Sequence, residues 1–439
     1  MAKNIYYVCG ECGHESLRWA GQCPNCHAWN TLKEFAVEQN SGGIKSQGQK
    51  SEPAKVYRQN EIKSNILERI KFAMPAVSEV LGGGIARGSL LLFGGNPGVG
   101  KSTLLLTIAH HLKCKILYVS AEESLEQVKD RSVRIKPSGE NVLFLCETNI
   151  STIIATLEKE KPDVVVIDSI QTVFDPTYSS SAGSLIQVRE IALHLQKLAK
   201  NSGISFIIVG HVTKEGNIAG PKILEHIVDG VFYLERESDD FRLLRSAKNR
   251  FGSTEEVALL AMSKDGMEEI QHPEKAFLSD RNTGLPGSVI TAVKEGTRTI
   301  LVEIQALVVP TVFGFPRRSA VGVHQQRLEL ILAVLERRAK INLRNYDVFV
   351  KATAGFAARE ACVDLAIAVA LVSGYKNISI NEKWCVFGEV GLLGDIRQPQ
   401  DASTRQKAAR SIGYKIFTSK RTLDSALDEI LVGGKVVHR

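Results

Sequence analysis

From about residue 62 to residue 270, short apolar runs alternate with longer stretches that mix polar and apolar positions. The runs at 89–93, 115–120, 142–145, 163–168, 204–209, 230–235, 241–247 and 256–262 read as strands. The earlier ones are near-continuous Val/Ile/Leu, the composition of strands buried on both faces of a parallel sheet. The later ones look antiparallel. Helices fit between the runs, for example at 185–200. This alternation predicts an α/β core.

The pattern changes near residue 271. The last third has strands at 289–293 and 299–309 and one amphipathic helix at 325–338, with Leu328, Ile331/Leu332 and Leu335 on one face. That mixture predicts an α+β domain. Residues 37–61 are rich in Ser, Gly, Gln and Lys and have no periodicity, as expected of a flexible tether. The first 36 residues are too few to bury a core unaided. The expected organisation is 1–36, a small segment with four cysteines; 37–61, a linker; 62–270, the α/β core domain; and 271–439, a separate α+β domain.

Composition adds limits rather than an answer. The chain has 439 residues, room for two or three domains, and 44% of them are hydrophobic, enough for sizeable cores. A net charge of +7 modestly favours an anionic partner. No apolar run approaches the ~20 residues of a membrane span, and the first residues contain no apolar leader. A cytoplasmic protein without membrane contact is expected. Of eight cysteines, four form two Cys-x-x-Cys pairs, while Cys114, Cys146, Cys362 and Cys385 are scattered in apolar surroundings. That suits a reducing compartment with one metal site.

Chemistry concentrates after the first core strand. Gly95, Gly100, Lys101 and Ser102 satisfy G-x-x-x-x-G-K-[ST] between a strand and a helix. Gly95, Asn96, Pro97, Gly98, Val99, Gly100, Lys101, Ser102 and Thr103 are expected to cradle ATP. Backbone N–H groups and the helix start favour phosphate. Lys101 is expected on the β- and γ-phosphates, and Ser102 on Mg²⁺. Asp168 ends an apolar strand and is a second candidate for Mg²⁺. Glu122 and Glu123 end another strand; spacing does not choose which polarises the attacking water. Residues 210–222, including His211, Lys214 and Lys222, form a long polar glycine-rich stretch where α/β proteins carry function. Lys248 and Arg250 suit contact with phosphate, of nucleotide or nucleic acid.

Two further groups stand outside the core. Cys9 and Cys12, then Cys23 and Cys26 after ten residues, present four thiolates on tight turns, the donor set of a structural Zn²⁺ site. His14 and His27 read as bystanders, and thioredoxin-like redox chemistry is the weaker alternative. Residues 315–345 hold seven Lys/Arg against two Glu, and residues 397–421 hold seven against one Asp. These are candidate backbone-binding stripes, with Arg317 and Arg318 the leading DNA contacts.

Together these residues resemble the bacterial RadA family, RecA-related DNA repair ATPases, over almost the whole length. The resemblance is carried by the four-cysteine segment with Trp19, Trp29 and Asn30, by Leu-Gly-Gly-Gly at 81–84 and by the P-loop at 94–103. Tyr-Val-Ser-Ala-Glu-Glu-Ser at 118–124, Val-Ile-Asp-Ser-Ile-Gln-Thr at 166–172 and Gly-His-Val-Thr-Lys-Glu-Gly at 210–216 extend it. Lys248-Asn-Arg-Phe-Gly252 is its most specific part. It implies a RecA-like core, hexameric rings and single-stranded DNA binding. It also implies an ATP-driven motor that promotes branch migration and D-loop extension of recombination intermediates, with RecA as partner. It makes Glu122 the water activator, His211 a γ-phosphate sensor and residues 213–222 a DNA contact, with Lys248 and Arg250 acting across a subunit boundary. Asn96 stands where a carboxylate is common in the family; it is expected to face outward with little consequence.

The last third resembles the proteolytic domain of Lon, most clearly in Gly-Glu-Val-Gly-Leu-Leu-Gly at 388–394. Lon-type proteases need a Ser nucleophile and a Lys base. Here Cys362 stands at the Ser position, and Ser403-Thr404-Arg405 has no Lys, Lys407 being nearest. A buried Cys without a base is inert. A DNA-binding, ring-forming scaffold is therefore expected rather than a protease. A recombination mediator that uses ATP only as a switch is the other reading.

Overall fold

The computed structural model describes residues 4–9, 15–25, 27–37, 58, 68–135, 140–210, 221–237, 241–271, 278, 281, 283–312, 314–353, 358–417, 422–432 and 435–436. The chain forms two compact units. One comprises residues 1–235, 244–254 and 262–268; the other comprises 236–243, 255–261 and 269–439.

The central sheet has nine strands, in the order Gly266–Glu269, Val257–Ser263, Phe241–Asn249, Gly230–Arg236, Leu90–Gly94, Ser205–Val209, Val164–Asp168, Ile116–Ser120 and Val142–Cys146. Every residue of Leu90–Gly94, Ile116–Ser120 and Ser205–Val209 is buried, which explains their unbroken apolar composition. The last six strands in that order pair in parallel. Gly230–Arg236 is thus a correction to the antiparallel expectation: it pairs in parallel with Leu90–Gly94. The helix Pro221–Ile227 lies in the crossover that returns the chain to the same sheet edge.

Local signals set the helix ends. Asn149 and Ser184 cap the helices Ile150–Glu160 and Leu185–Ser202 by accepting from the Ser151 and Gln187 amides, and Gly203 ends the second in a left-handed turn. Val188, Ile191, Ala192, Leu195 and Ala199, on one face of Leu185–Ser202, close over the sheet.

In the second unit a six-stranded sheet runs Arg318–Val321, Tyr346–Ala352, Arg298–Pro310, Ser288–Glu295, Trp384–Val386 and Lys415–Phe417. Side-chain alternation separates its two faces. Ile300, Val302, Ile304 and Ala306 pack with the helices Gln325–Arg338 and Asp364–Lys376. Leu301, Ile290 and Ala292 pack instead with Ala409 of the helix Ala402–Ser411. The helix at 325–338 has the expected bounds, and Leu328, Ile331, Val334 and Leu335 form its buried face.

The N-terminal segment has three antiparallel strands, Glu15–Ser16, Asn4–Cys9 and Leu32–Val37. Among the described residues, no helix is long and apolar enough to cross a membrane.

Candidate nucleotide site

The P-loop occupies the edge where the central parallel strands end. Gly95 has φ +150°, and a Cβ there would sit 2.4 Å from the Leu234 carbonyl oxygen. Only glycine lets the loop press against the neighbouring strand. Val99 is buried beneath the loop, whereas Asn96, Pro97 and Gly98 face solvent; Asn96 points outward as expected. Gly100 caps the helix Lys101–His111, so Lys101, Ser102 and Thr103 form its first turn. The Lys101 ammonium is buried and donates to the Gly95 carbonyl at 2.8 Å and the Asn96 carbonyl at 3.1 Å. Burial lowers its pKa, while Asp168 and Glu122 oppose that shift by attracting the charged form. One cation and two carboxylates thus share a single electrostatic site.

Neighbouring side chains fix those carboxylates. Asp168 accepts from the Tyr118 hydroxyl at 2.6 Å, within a parallel pairing that sets Ser120 beside Asp168. Burial, then Asp168, raises the Tyr118 pKa well above its usual value, so the phenol remains a donor. Ser169 donates to Glu122. Glu123 turns elsewhere and pairs with Arg131 at 2.6 Å. The sequence did not separate Glu122 from Glu123; their partners do, since Ser169 directly follows Asp168. Tyr118, Ser169 and Arg131 were missed because a mid-strand Tyr, a Ser and a helical Arg carry no motif of their own.

Lys248 and Arg250 are at the other end of the strands. Lys248 donates to the carbonyls of Glu225 at 2.5 Å and Val228 at 2.9 Å, closing the end of the helix Pro221–Ile227. Burial first, and Arg250 next, lower its pKa. Arg250 pairs with Asp229 at 3.2 Å, and Asp229 also accepts from the Leu90 amide, where the P-loop strand begins. Both cations therefore sit on the side of the sheet opposite this chain's own P-loop. The segment is held from below: a Cβ on Gly252 would lie 2.7 Å from the Gly82 Cα, and Arg69 donates to the Phe251 carbonyl at 2.7 Å. Two of the motifs read from the sequence, 81–84 and 248–252, thus touch. His211 and Lys214 lie outside the described residues, as does the side chain of Lys222.

Residues 57–217 match the family described as AAA domain, and residues 7–34 match the one described as rubredoxin metal binding domain, a zinc ribbon. A KaiC-like protein of solved structure from Pyrococcus horikoshii aligns at 20% identity with TM-score 0.38, over 46% of this chain and 99% of its own. DNA repair protein RadA from Listeria monocytogenes is 45% identical over 419 residues, 94% of this chain and 92% of its own. The one from Aquifex aeolicus is 42% identical over 432 residues, 98% of this chain and 96% of its own. The chain belongs to the RadA family. It carries the zinc ribbon and the P-loop ATPase core expected of a RadA protein.

In this RadA-family chain the ribbon brings together one cysteine from each pair. Cys9 and Cys23 are fully buried and form a small cluster with Leu32. Cys12 and Cys26 lie outside the described residues. Buried thiols delivered from the end of the strand Asn4–Cys9 and from a second segment fit a zinc donor set, and His27 is exposed.

The remaining candidates are in the second unit. Cys362 is 4% exposed, and burial pushes its thiol up to about 12. Its Sγ donates to Glu360 at 3.4 Å. The cation beside it is Arg405, whereas Lys407 is exposed. Arg405 is saturated by Glu360, by Asp401 at 2.9 and 3.0 Å and by the Ala292 carbonyl at 2.5 Å. Arg317 is exposed, but Arg318 corrects the expected basic pair. Its guanidinium turns inward to the carbonyls of Tyr346 and, at 2.8 Å, Leu343. Its fork is thus directed at carbonyls of its own domain, while the neighbouring Arg317 is exposed.

Proposed function

We propose that this RadA-family ATPase is a DNA-dependent motor that binds single-stranded DNA and promotes branch migration and D-loop extension in the cytoplasm, with RecA as partner. The observation that carries the hydrolytic part is Lys101 buried between two carboxylates, one held by Tyr118 and the other by Ser169. ATP would lie along residues 95–103. Lys101 would exchange its loop carbonyls for phosphate oxygens and stabilise charge on them as the bond to the γ-phosphoryl breaks. Glu122, oriented by Ser169, would take the proton of the attacking water. Ser102 and Asp168 would hold Mg²⁺, which offsets phosphate charge. Cys9, Cys12, Cys23 and Cys26 would hold Zn²⁺.

Lys248 and Arg250, remote from their own P-loop, would serve the nucleotide of a neighbour. This supports a closed homo-oligomer, a hexameric ring in this reading. His211, Lys214, Lys222 and Arg317 are retained as candidates for sensing γ-phosphate or binding DNA, and Arg318 is not. Residues 271–439 act as a scaffold without proteolysis, since neither Cys362 nor Arg405 is available for proton transfer.

The test is strand displacement on forked DNA with and without ATP, beside two matched variants. Glu122→Gln should keep nucleotide binding and slow turnover about 10²-fold or more, as for loss of a general base. Glu123→Gln should hydrolyse ATP at close to the normal rate. The reverse pattern would refute the assignment of the base. DNA-dependent ATPase without strand displacement would favour the ATP-switched mediator.

A further inference from the structure

The six-stranded sheet of the second unit leaves part of one face bare. The helix Ala402–Ser411 packs by Leu301, but further along the same strand Gln305 and Leu307 are exposed. Strand register sets Leu307, Phe349 and Ser319 in one row across three strands, and Gln305, Lys351 and Val321 in the next. With Leu285 these residues line a groove of about 440 Å³. Its polar floor is closed. Glu303 accepts from Ser288, from Gln305 at 2.9 Å and from Arg281 at 3.3 Å. The groove therefore asks for an apolar occupant. Leu285, Leu307 and Val321 are each more than half exposed along it.

A knob of matching chemistry stands on the other side of the same unit. The strands Glu389–Val390 and Ile396–Arg397 form a hairpin beside the helix Gln325–Arg338, on the face packed by that helix. Its tip exposes Leu392 by 67% and Leu393 by 73%. The tip is rigid: the Gly391 amide donates to Asp395, the Gly394 amide to Gly391, and the Leu423 amide to Gly394, at 2.7–2.9 Å. Two leucines held in water on a preformed turn contribute nothing to folding but suit a partner.

We infer that the Leu392–Leu393 tip of one chain seats in the groove lined by Leu285, Leu307, Val321 and Phe349 of a second copy. Around the tip, Arg397, opposite Glu389 in the hairpin, pairs with Asp395, and Arg338 donates to the Leu392 carbonyl. Exposed Glu389 is then the acid that can meet exposed Lys351 on the groove's rim. Knob and groove are on opposite faces, so the contact is head-to-tail, the kind that closes rings or extends filaments. The inference rests on the ring reading above and names the surface that sets its register. Two leucines are an anchor within a larger interface of roughly 1,600 Å².

Sedimentation velocity without nucleotide tests it. The knob variant is Leu392→Glu with Leu393→Glu; the groove variant is Leu307→Glu with Val321→Glu. Each alone should weaken self-association at least about 100-fold, as for loss of an interface hot spot. An equimolar mixture should form dimers that grow no further, because it retains one intact knob and one intact groove. Association of either variant like the wild type would overturn the inference, as would a mixture that stays monomeric. Wild-type assembly only with ATP would overturn the knob and spare the ring. A wild-type monomer under both conditions would remove the ring as well. Thermal melts by circular dichroism check folding, and serine at the same positions carries the test if glutamate unfolds a variant.

Discussion

Two buried cations stand beside candidate reactive groups in this chain, and only one is poised to react. Lys101 is 5% exposed and Arg405 is 2% exposed, so burial does not separate them. Their bonds do. Lys101 is held by two neutral loop carbonyls, partners that phosphate oxygens can replace. Arg405 is locked by two carboxylates and a carbonyl, and the thiol beside it is pushed up to about 12. Arg405, buried against two carboxylates, has no charge to lend to a substrate, whereas Arg250 is half exposed and meets Asp229 as its one carboxylate partner among the described residues.

The largest expected effect comes from emptying the open site. Lys101→Ala should abolish ATP hydrolysis in a steady-state phosphate-release assay, since the loop loses its only cation. It should leave the melting temperature close to wild type, because the loop carbonyls it releases can turn to water. Arg405→Leu should reverse that split. It leaves Glu360 and Asp401 without their counter-charge and should cost about 3 kcal/mol of stability in chemical denaturation, the scale for breaking a buried ion pair. A melt unchanged by Arg405→Leu would erase the contrast. The smallest effect belongs to Cys362. Cys362→Ala should change neither ATP hydrolysis nor DNA affinity. In the native wild type Cys362 should resist iodoacetamide at pH 8 while exposed Cys146 is alkylated, since burial both raises the Cys362 thiol's pKa and shields it. ATP-dependent peptide cleavage lost in Cys362→Ala would reopen the protease reading.

The sequence was most informative where physics is local. Buried parallel strands are visible as unbroken Val/Ile/Leu runs, and the helix Gln325–Arg338 shows its buried face at i, i+3 and i+7. The P-loop is legible because its glycines and lysine serve one short stretch of backbone. What stayed hidden depends on partners far along the chain. Nothing in Gly230–Arg236 states its direction of pairing, which follows from the crossover before it. Nothing near Lys248 reveals that a helix end 20 residues earlier takes its ammonium. Arg318 reads as half of a basic pair until the carbonyls of Leu343 and Tyr346 are seen to bind it. In the sequence Arg405 reads only as a position without the expected lysine, although it is the cation beside Cys362 and binds Glu360, the acceptor of that thiol.

The contact of Gly82 with Gly252 has a mechanical consequence. Backbone there lies against backbone, and the Asn249 and Arg69 side chains tie the segments further through the Val80 and Phe251 carbonyls, so the turn carrying Lys248 and Arg250 is mounted like a bracket bolted to its wall. Such a bracket does not search for its target. Its reach is fixed by the frame, and an adjustment of an ångström at its tip has to come from tilting the whole frame. A single methyl group at either glycine would work as a shim, displacing both cations together and by nearly the same amount.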